Sequence, residues 1–206
     1  MARSQSSGGT KTYVATHNEG KLRELKAIFA DSPLTLVKPR KYPDVAEDAG
    51  SYIGNAILKA QALATLLQER DLAANVLADD SGLEVDALEG GPGIYSARFG
   101  GADISWPQRR ATLLADLRGV PPYRRTARFV CALAFIAPGS GAIAATGTVN
   151  GYILENEFGT GGFGYDPIFL YPPAGCSFAA LGEKEKNDVS HRRRAADALL
   201  AALHRV

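Results

Sequence analysis

The sequence predicts an α/β fold, a single domain with a central mixed β-sheet flanked by helices. Three observations carry this. Helical and strand periodicities interleave along the chain instead of segregating into blocks. The run TARFVCALAFIA (126–137) is apolar on both faces, as in a strand at the middle of a covered sheet. A length of 206 residues suffices for one substantial core and falls short of the usual size for two.

The elements follow in order. TYVAT (12–16) is a short β-prone run. After it, Leu22, Leu25, Ile28 and Phe29 recur at helical spacing, with Asn18 as N-cap and Asp31-Ser32-Pro33 as the stop. A second helix is expected over 51–70, with Ile57, Ala60, Ala64 and Leu67 on its apolar face. NVLA (75–78) reads as a short strand ending at Asp79 and Asp80. LEGGPGIYSARFGG is a glycine-rich loop, and WPQRRATLLADL (106–117) a helix with Pro107 in its first turn. The apolar run 126–137 pairs with AIAATGTVNGYI (142–153), and PIFLY (167–171) is another strand. The last helix, 190–204, packs through Ala195, Leu199, Leu200 and Leu203.

Apolar residues make up 46% and charged residues 22% of the chain, ordinary values for a soluble globular protein. A formal net charge of +1 provides no global field for nucleic acid or an anionic membrane, so any anion recognition is local. Two cysteines, Cys131 and Cys176, make neither a disulfide framework nor a zinc site, and a reduced, cytoplasmic compartment is expected. The Ser/Gly-rich start is expected to be a flexible tail over 1–11, with no signal peptide. No stretch approaches the ~18 apolar residues that span a membrane.

Four stretches carry candidate chemistry. In THNEGK, Thr16, Asn18 and Lys21 stand at a helix N-terminus, where exposed amides and a lysine favour phosphate; taken alone, a capped helix with a solvated lysine is the plainer reading. Glu47 and Asp48 precede the second helix, and Asp79-Asp80 follow a strand. Carboxylates from two segments suit a hard cation such as Mg²⁺, against the plainer reading of two solvated acidic turns. GTGGFGYDP (159–167) offers Phe163 or Tyr165 for stacking on a base, or a tight turn with a core aromatic. In GEKEKNDVSHRRRA, Lys186 precedes a helix capped by Ser190. His191 and Arg192 occupy its first turn, a poor place for cations without an anion nearby. A dinucleotide-dependent oxidoreductase would need G-x-G-x-x-G after the first strand, which ATHNEGK lacks. An RNA-binding module fits poorly with the near-zero charge and scattered aromatics.

Taken in order, THNEGKLRELKAIF, ADDSGLEVDALEGGPGIYSARFGG, GTGGFGYDPIF and LGEKEKNDVSHRRRA closely resemble the inosine triphosphate pyrophosphatase family of the Ham1 type. The resemblance spans about residues 12 to 205. It implies a Ham1/Maf-like fold with two lobes around a nucleotide cleft over 12–206. It also implies Mg²⁺-dependent hydrolysis of ITP, dITP and XTP to monophosphate and pyrophosphate, by a cytosolic homodimer. The family's phosphate-binding block falls on Thr16, His17, Asn18, Glu19, Gly20 and Lys21. Its general base and metal ligand falls on Asp80, with Ser81 beside the substrate. The segment that holds the base falls on Phe163, Gly164, Tyr165 and Asp166, and the residues that read the base edge on Lys186, His191 and Arg192. The second metal ligand aligns with Glu47, and Asp48 is its neighbour. This chain departs from the pattern at His17, where the family commonly has a small residue, and at Gly54, where it has an acid. The nearest alternative is a pyrophosphatase acting on pyrimidine or modified nucleotides. Asp80 is expected to project into the cleft while Asp79 makes structural hydrogen bonds.

Overall fold

A computed structural model describes residues 9–205. One seven-stranded sheet runs through it in the order β2-β1-β3-β4-β5-β6-β7. The strands are β1 (Thr10–Ala15), β2 (Leu34–Val37), β3 (Asn75–Val85), β4 (Thr126–Ile136), β5 (Ala142–Ile153), β6 (Phe169–Tyr171) and β7 (Cys176–Ser177). The helices are α1 (Glu19–Ile28), α2 (Tyr52–Gln68), α3 (Trp106–Asp116), α4 (Glu183–Val189) and α5 (His191–Leu203). β1 runs parallel to both β2 and β3, and every later pairing is antiparallel, so the sheet is mixed as expected.

The helices begin where the sequence supplies a cap. Asn18 Oδ1 accepts the Lys21 amide at 3.0 Å at the start of α1. Ser51 caps α2, Ser105 and Gln108 form a capping box on α3, and Ser190 caps α5.

Two sheet faces are covered by different helices. Residues of odd number in β3, such as Leu77, pack with Val14, Cys131 and Leu133 against α1 and α5. Even-numbered Val76 and Ala78 pack with Ala15, Ala132 and Ala134 against Ala56, Ala60 and Leu63 of α2. At the far end of the long strands a third cluster joins Leu83, Val85, Phe129 and Val149 to Leu113 and Leu117 of α3 and to Phe169 and Phe178. β3, β4 and β5 therefore serve two lobes.

The cleft between the lobes follows from strand lengths. β1 ends at Ala15 opposite Ala78, whereas β3 continues seven residues further, to Val85. Among the described residues, the β1-side edge of β3 from Asp79 onward meets no strand, only a single bridge from Glu84 to Pro92. Side chains from both faces of β3 can reach around that open edge.

Three expectations are corrected. Asp79 and Asp80 do not terminate a strand but lie in the middle of an 11-residue one. Of the expected tail, residues 1–8 lie outside the described residues, while Thr10 and Lys11 belong to β1. The stretch 167–171 is a strand only from Phe169, because Asp166–Ile168 form a 3-10 turn. Among the described residues no helix is long and apolar enough to cross a membrane.

Candidate active site

Consecutive residues of a strand point to opposite faces, and this separates the two aspartates. Asp79 faces α1 and α5. Its Oδ2 lies 3.1 Å from Lys21 Nζ and 3.6 Å from Arg192 Nε, and it accepts the Ser81 hydroxyl at 3.3 Å. Burial opposes ionisation, but Lys21 and Arg192 outweigh it and hold the carboxyl below its usual range. Asp80 faces α2. Its Oδ1 accepts from Lys59 Nζ at 2.9 Å and its Oδ2 from Asn55 Nδ2 at 3.2 Å. Here burial wins over Lys59 and Lys21, and the pKa is raised.

Asn55 and Lys59 are one turn apart on the buried face of α2. Lys59 Nζ also donates to Glu47 Oε1 at 2.8 Å, so one ammonium bridges the two carboxylates expected to bind metal. Among the described residues no group of three or more His, Cys, Asp or Glu is arranged to hold a metal. The pair Glu47 and Asp80 suits a hard cation such as Mg²⁺, which takes one or two carboxylates and completes its shell with water and substrate phosphates. Asp48, beside Glu47, is exposed.

The phosphate block is a helix entry. Thr16 Oγ1 accepts the Asn18 amide at 3.1 Å, and the Asn18 side chain is committed to its cap. The first-turn amides of Glu19 and Gly20 have no carbonyl within the helix to reach. His17 is exposed, with Nε2 3.2 Å from Asp44 and its ring 4.7 Å from that of Tyr42. The Glu19 carboxylate turns outward to Lys38. At Gly20 an added Cβ would lie 2.9 Å from Cδ1 of Phe163, so that ring would have to shift.

The base-side residues are tied together by buried charges. Arg192 Nη1 donates to Glu24 Oε2 at 2.8 Å and Nη2 to Ser81 Oγ at 2.9 Å. The Lys186 ammonium is gripped by Glu24 and Asp166. Three acids (Asp79, Glu24, Asp166) thus meet three bases (Lys21, Lys186, Arg192), which supplies the anions that a cationic first turn of α5 demands. Burial lowers the His191 pKa well below its ordinary value, so this imidazole is neutral at pH 7; it stacks on Phe129 at 4.8 Å. Phe163 is half-buried, with Lys186 Nζ 4.9 Å and Arg192 Cζ 5.1 Å from its ring centre. Tyr165 is a core aromatic instead: it donates to the Ser96 carbonyl at 3.0 Å and meets Trp106 edge-on at 5.4 Å.

One cleft gathers most of the expected residues. Asn18, Lys21, Glu47, Asp80 and Ser81 line it from the first lobe. Phe163, Gly164, Tyr165, Asp166, His191 and Arg192 line it from the base side. Thr16, His17, Glu19, Gly20 and Lys186 are not on its wall; Lys186 lies buried behind Phe163. The enclosed part of the cleft holds about 90 Å³, below the roughly 300 Å³ typical of small-molecule sites.

Sequence reasoning missed Glu24, Lys59, Asn55 and Trp106. The first three had a readable signal, because each is a polar residue standing within the apolar stripe of its helix.

The Ham1 family model matches residues 12–202. The dITP/XTP pyrophosphatase of Geobacillus kaustophilus is 46% identical over 185 residues, 88% of each chain. That of Geobacter sulfurreducens is 44% identical over 189 residues, covering 90% of this chain and 92% of the relative. Among solved structures, the Ham1 protein of Staphylococcus aureus superposes with a TM-score of 0.78 at 38% identity, covering 94% of this chain and 98% of that one. A HAM1 protein from Coxiella burnetii gives 0.83 at 30% identity, with 96% and 100% covered.

Proposed function

The chain belongs to the Ham1 family, and from that premise we propose that it hydrolyses the non-standard purine nucleotides ITP, dITP and XTP to monophosphate and pyrophosphate. One observation carries the reading: a single cleft joins Lys21, Glu47 and Asp80 to Phe163 and Arg192. A pyrophosphate-release screen over a nucleotide panel, with and without Mg²⁺, tests it. Turnover of ITP and XTP well above ATP is expected; equal turnover of ATP, or release of orthophosphate instead, contradicts it.

Asp80 is the group we assign as general base. A carboxylate at its ordinary pKa of ~3.9 takes a proton from water poorly; in the metal-free site burial raises the Asp80 pKa against the opposing charges of Lys59 and Lys21. The water oxygen attacks the α-phosphorus, its proton passes to Asp80, and the bond to the oxygen bridging the α- and β-phosphorus breaks to release pyrophosphate. Lys21, on the cleft wall at the start of α1, supplies positive charge against that leaving group. Glu47 and Asp80 are the residues that would hold Mg²⁺. When bound, that ion supplies positive charge against the triphosphate.

Base choice falls to Arg192. Glu24 and Ser81 fix its guanidinium, and the N–H groups they leave free suit the carbonyl that inosine and xanthine carry at C6. Adenine would set an amino group against those donors, an unpaired arrangement that costs binding. Lys186, buried behind Phe163, acts on this surface through Glu24 and Asp166. The dimeric assembly and cytosolic location that the family resemblance implies complete the proposal.

A further inference from the structure

The turn 163–166 shapes the base side of the cleft, and its geometry is anchored from two directions. On the inner side, Asp166 Oδ2 accepts the Phe163 amide at 2.7 Å and grips Lys186. On the outer side stands Arg110 of α3, which the activity as described above does not use. Arg110 is buried, and its Nη1 donates to the Gly164 carbonyl at 2.8 Å. Its Nε and Nη2 form a two-point pair with Glu157 at 2.8 and 2.9 Å, the fork geometry that lysine cannot reproduce. Gly164 has φ +66°, a left-handed conformation that side chains rarely adopt, so the direction of its carbonyl is open to being set by an external partner. Trp106, one turn earlier on α3, lines the cleft and packs beneath Gly164.

We propose that Arg110 is a positioning residue for base recognition. By holding the Gly164 carbonyl against α3 while Glu157 neutralises its charge, it fixes where the Phe163 ring stands relative to Arg192. The inference rests on the nucleotide-hydrolysis reading and goes beyond it, because it separates the half of the cleft that holds the base from the half that holds the phosphates. Arg110 contacts neither Lys21 nor Asp80, so its loss should weaken the grip on the base and leave the grip on phosphates intact.

The test compares wild type with Arg110→Ala, Arg110→Lys and Glu157→Gln, using full-length protein. In Arg110→Ala the KM for ITP is expected to rise about tenfold while kcat changes far less, the signature of lost binding energy shared by ground and transition states. Calorimetric affinity for IMP should fall in parallel, and affinity for inorganic tripolyphosphate should not. Trp106, the single tryptophan of the chain, provides a second signal for IMP through its emission. Arg110→Lys and Glu157→Gln should move KM in the same direction by about threefold; they carry the test if the alanine variant does not fold. Equal losses for IMP and tripolyphosphate, a kcat loss at constant KM, or no change in either affinity would overturn the assignment. A wild type that leaves ITP intact would instead remove the parent reading.

Discussion

Asp79 and Asp80 are neighbours in β3 but belong to opposite faces of the sheet, and each is met by a cation from a different helix. Asp79 is matched by Lys21 of α1 and Arg192 of α5, Asp80 by Lys59 of α2. A pair of adjacent carboxylates that looks repulsive in sequence is therefore divided between two separate groups of cations. The two residues also have opposite consequences for stability.

Asp79 has a folded-state pKa below its unfolded value, so its stabilisation is present above the unfolded pKa of ~3.9 and is lost as pH falls through the folded value. Asp79→Asn should cost about 3–5 kcal/mol at pH 7, because it leaves buried cations unpaired. Asp80 is raised, so the fold is favoured most below ~3.9 and loses that contribution as pH rises through the folded pKa. Asp80→Asn relieves that burial but also takes one of two carboxylates from buried Lys59, so it should cost less than Asp79→Asn at pH 7. Denaturant unfolding of the two variants from pH 3 to 8 checks both signs.

Lys59 lowers the Asp80 pKa, against the raising effect of burial. Lys59→Met should push that pKa further up and move the acid limb of the kcat profile to higher pH. An acid limb that stays in place would show that Asp80 is not the group that titrates there.

Glu47 and Asp48 separate cleanly. Glu47 shares Lys59 with Asp80, whereas Asp48 is exposed beside it. Glu47→Gln should raise the Mg²⁺ concentration for half-maximal activity by about tenfold, and Asp48→Asn should leave it unchanged. Chelator should abolish activity in the wild type, and Mg²⁺ should restore it.

Gly20→Ala sets a Cβ 2.9 Å from the Phe163 ring. The expected result is a displaced base loop at a cost of about 1–3 kcal/mol, read as a raised KM for ITP. Unchanged KM would mean that the loop yields without consequence for the base.

Local physics made part of this legible from sequence. The caps at Asn18 and Ser190 lie within a few residues of what they bond, and the faces of α1 and α5 follow from helical spacing. The length of β3 was hidden, since Asp79, Asp80, Ser81 and Gly82 resemble turn chemistry; the strand persists because cations on three distant helices offset both charges. The role of Lys186 was hidden for the same reason. Its burial depends on Glu24, 162 residues away in sequence, a partner that no local pattern reveals. Tyr165 and Phe163 are both plausible stacking faces in sequence, and only the packing of Trp106 against Tyr165 assigns one to the core.

The account stands most directly on Asp80→Asn, assayed for ITP turnover and for ITP affinity in the same preparation. Turnover should fall by about 10² to 10⁴, the range of a lost general base, while ITP affinity stays within a few-fold of wild type. Near-normal turnover, or a loss fully explained by failure to bind ITP, would contradict the assignment of Asp80 and with it the chemistry proposed for the cleft.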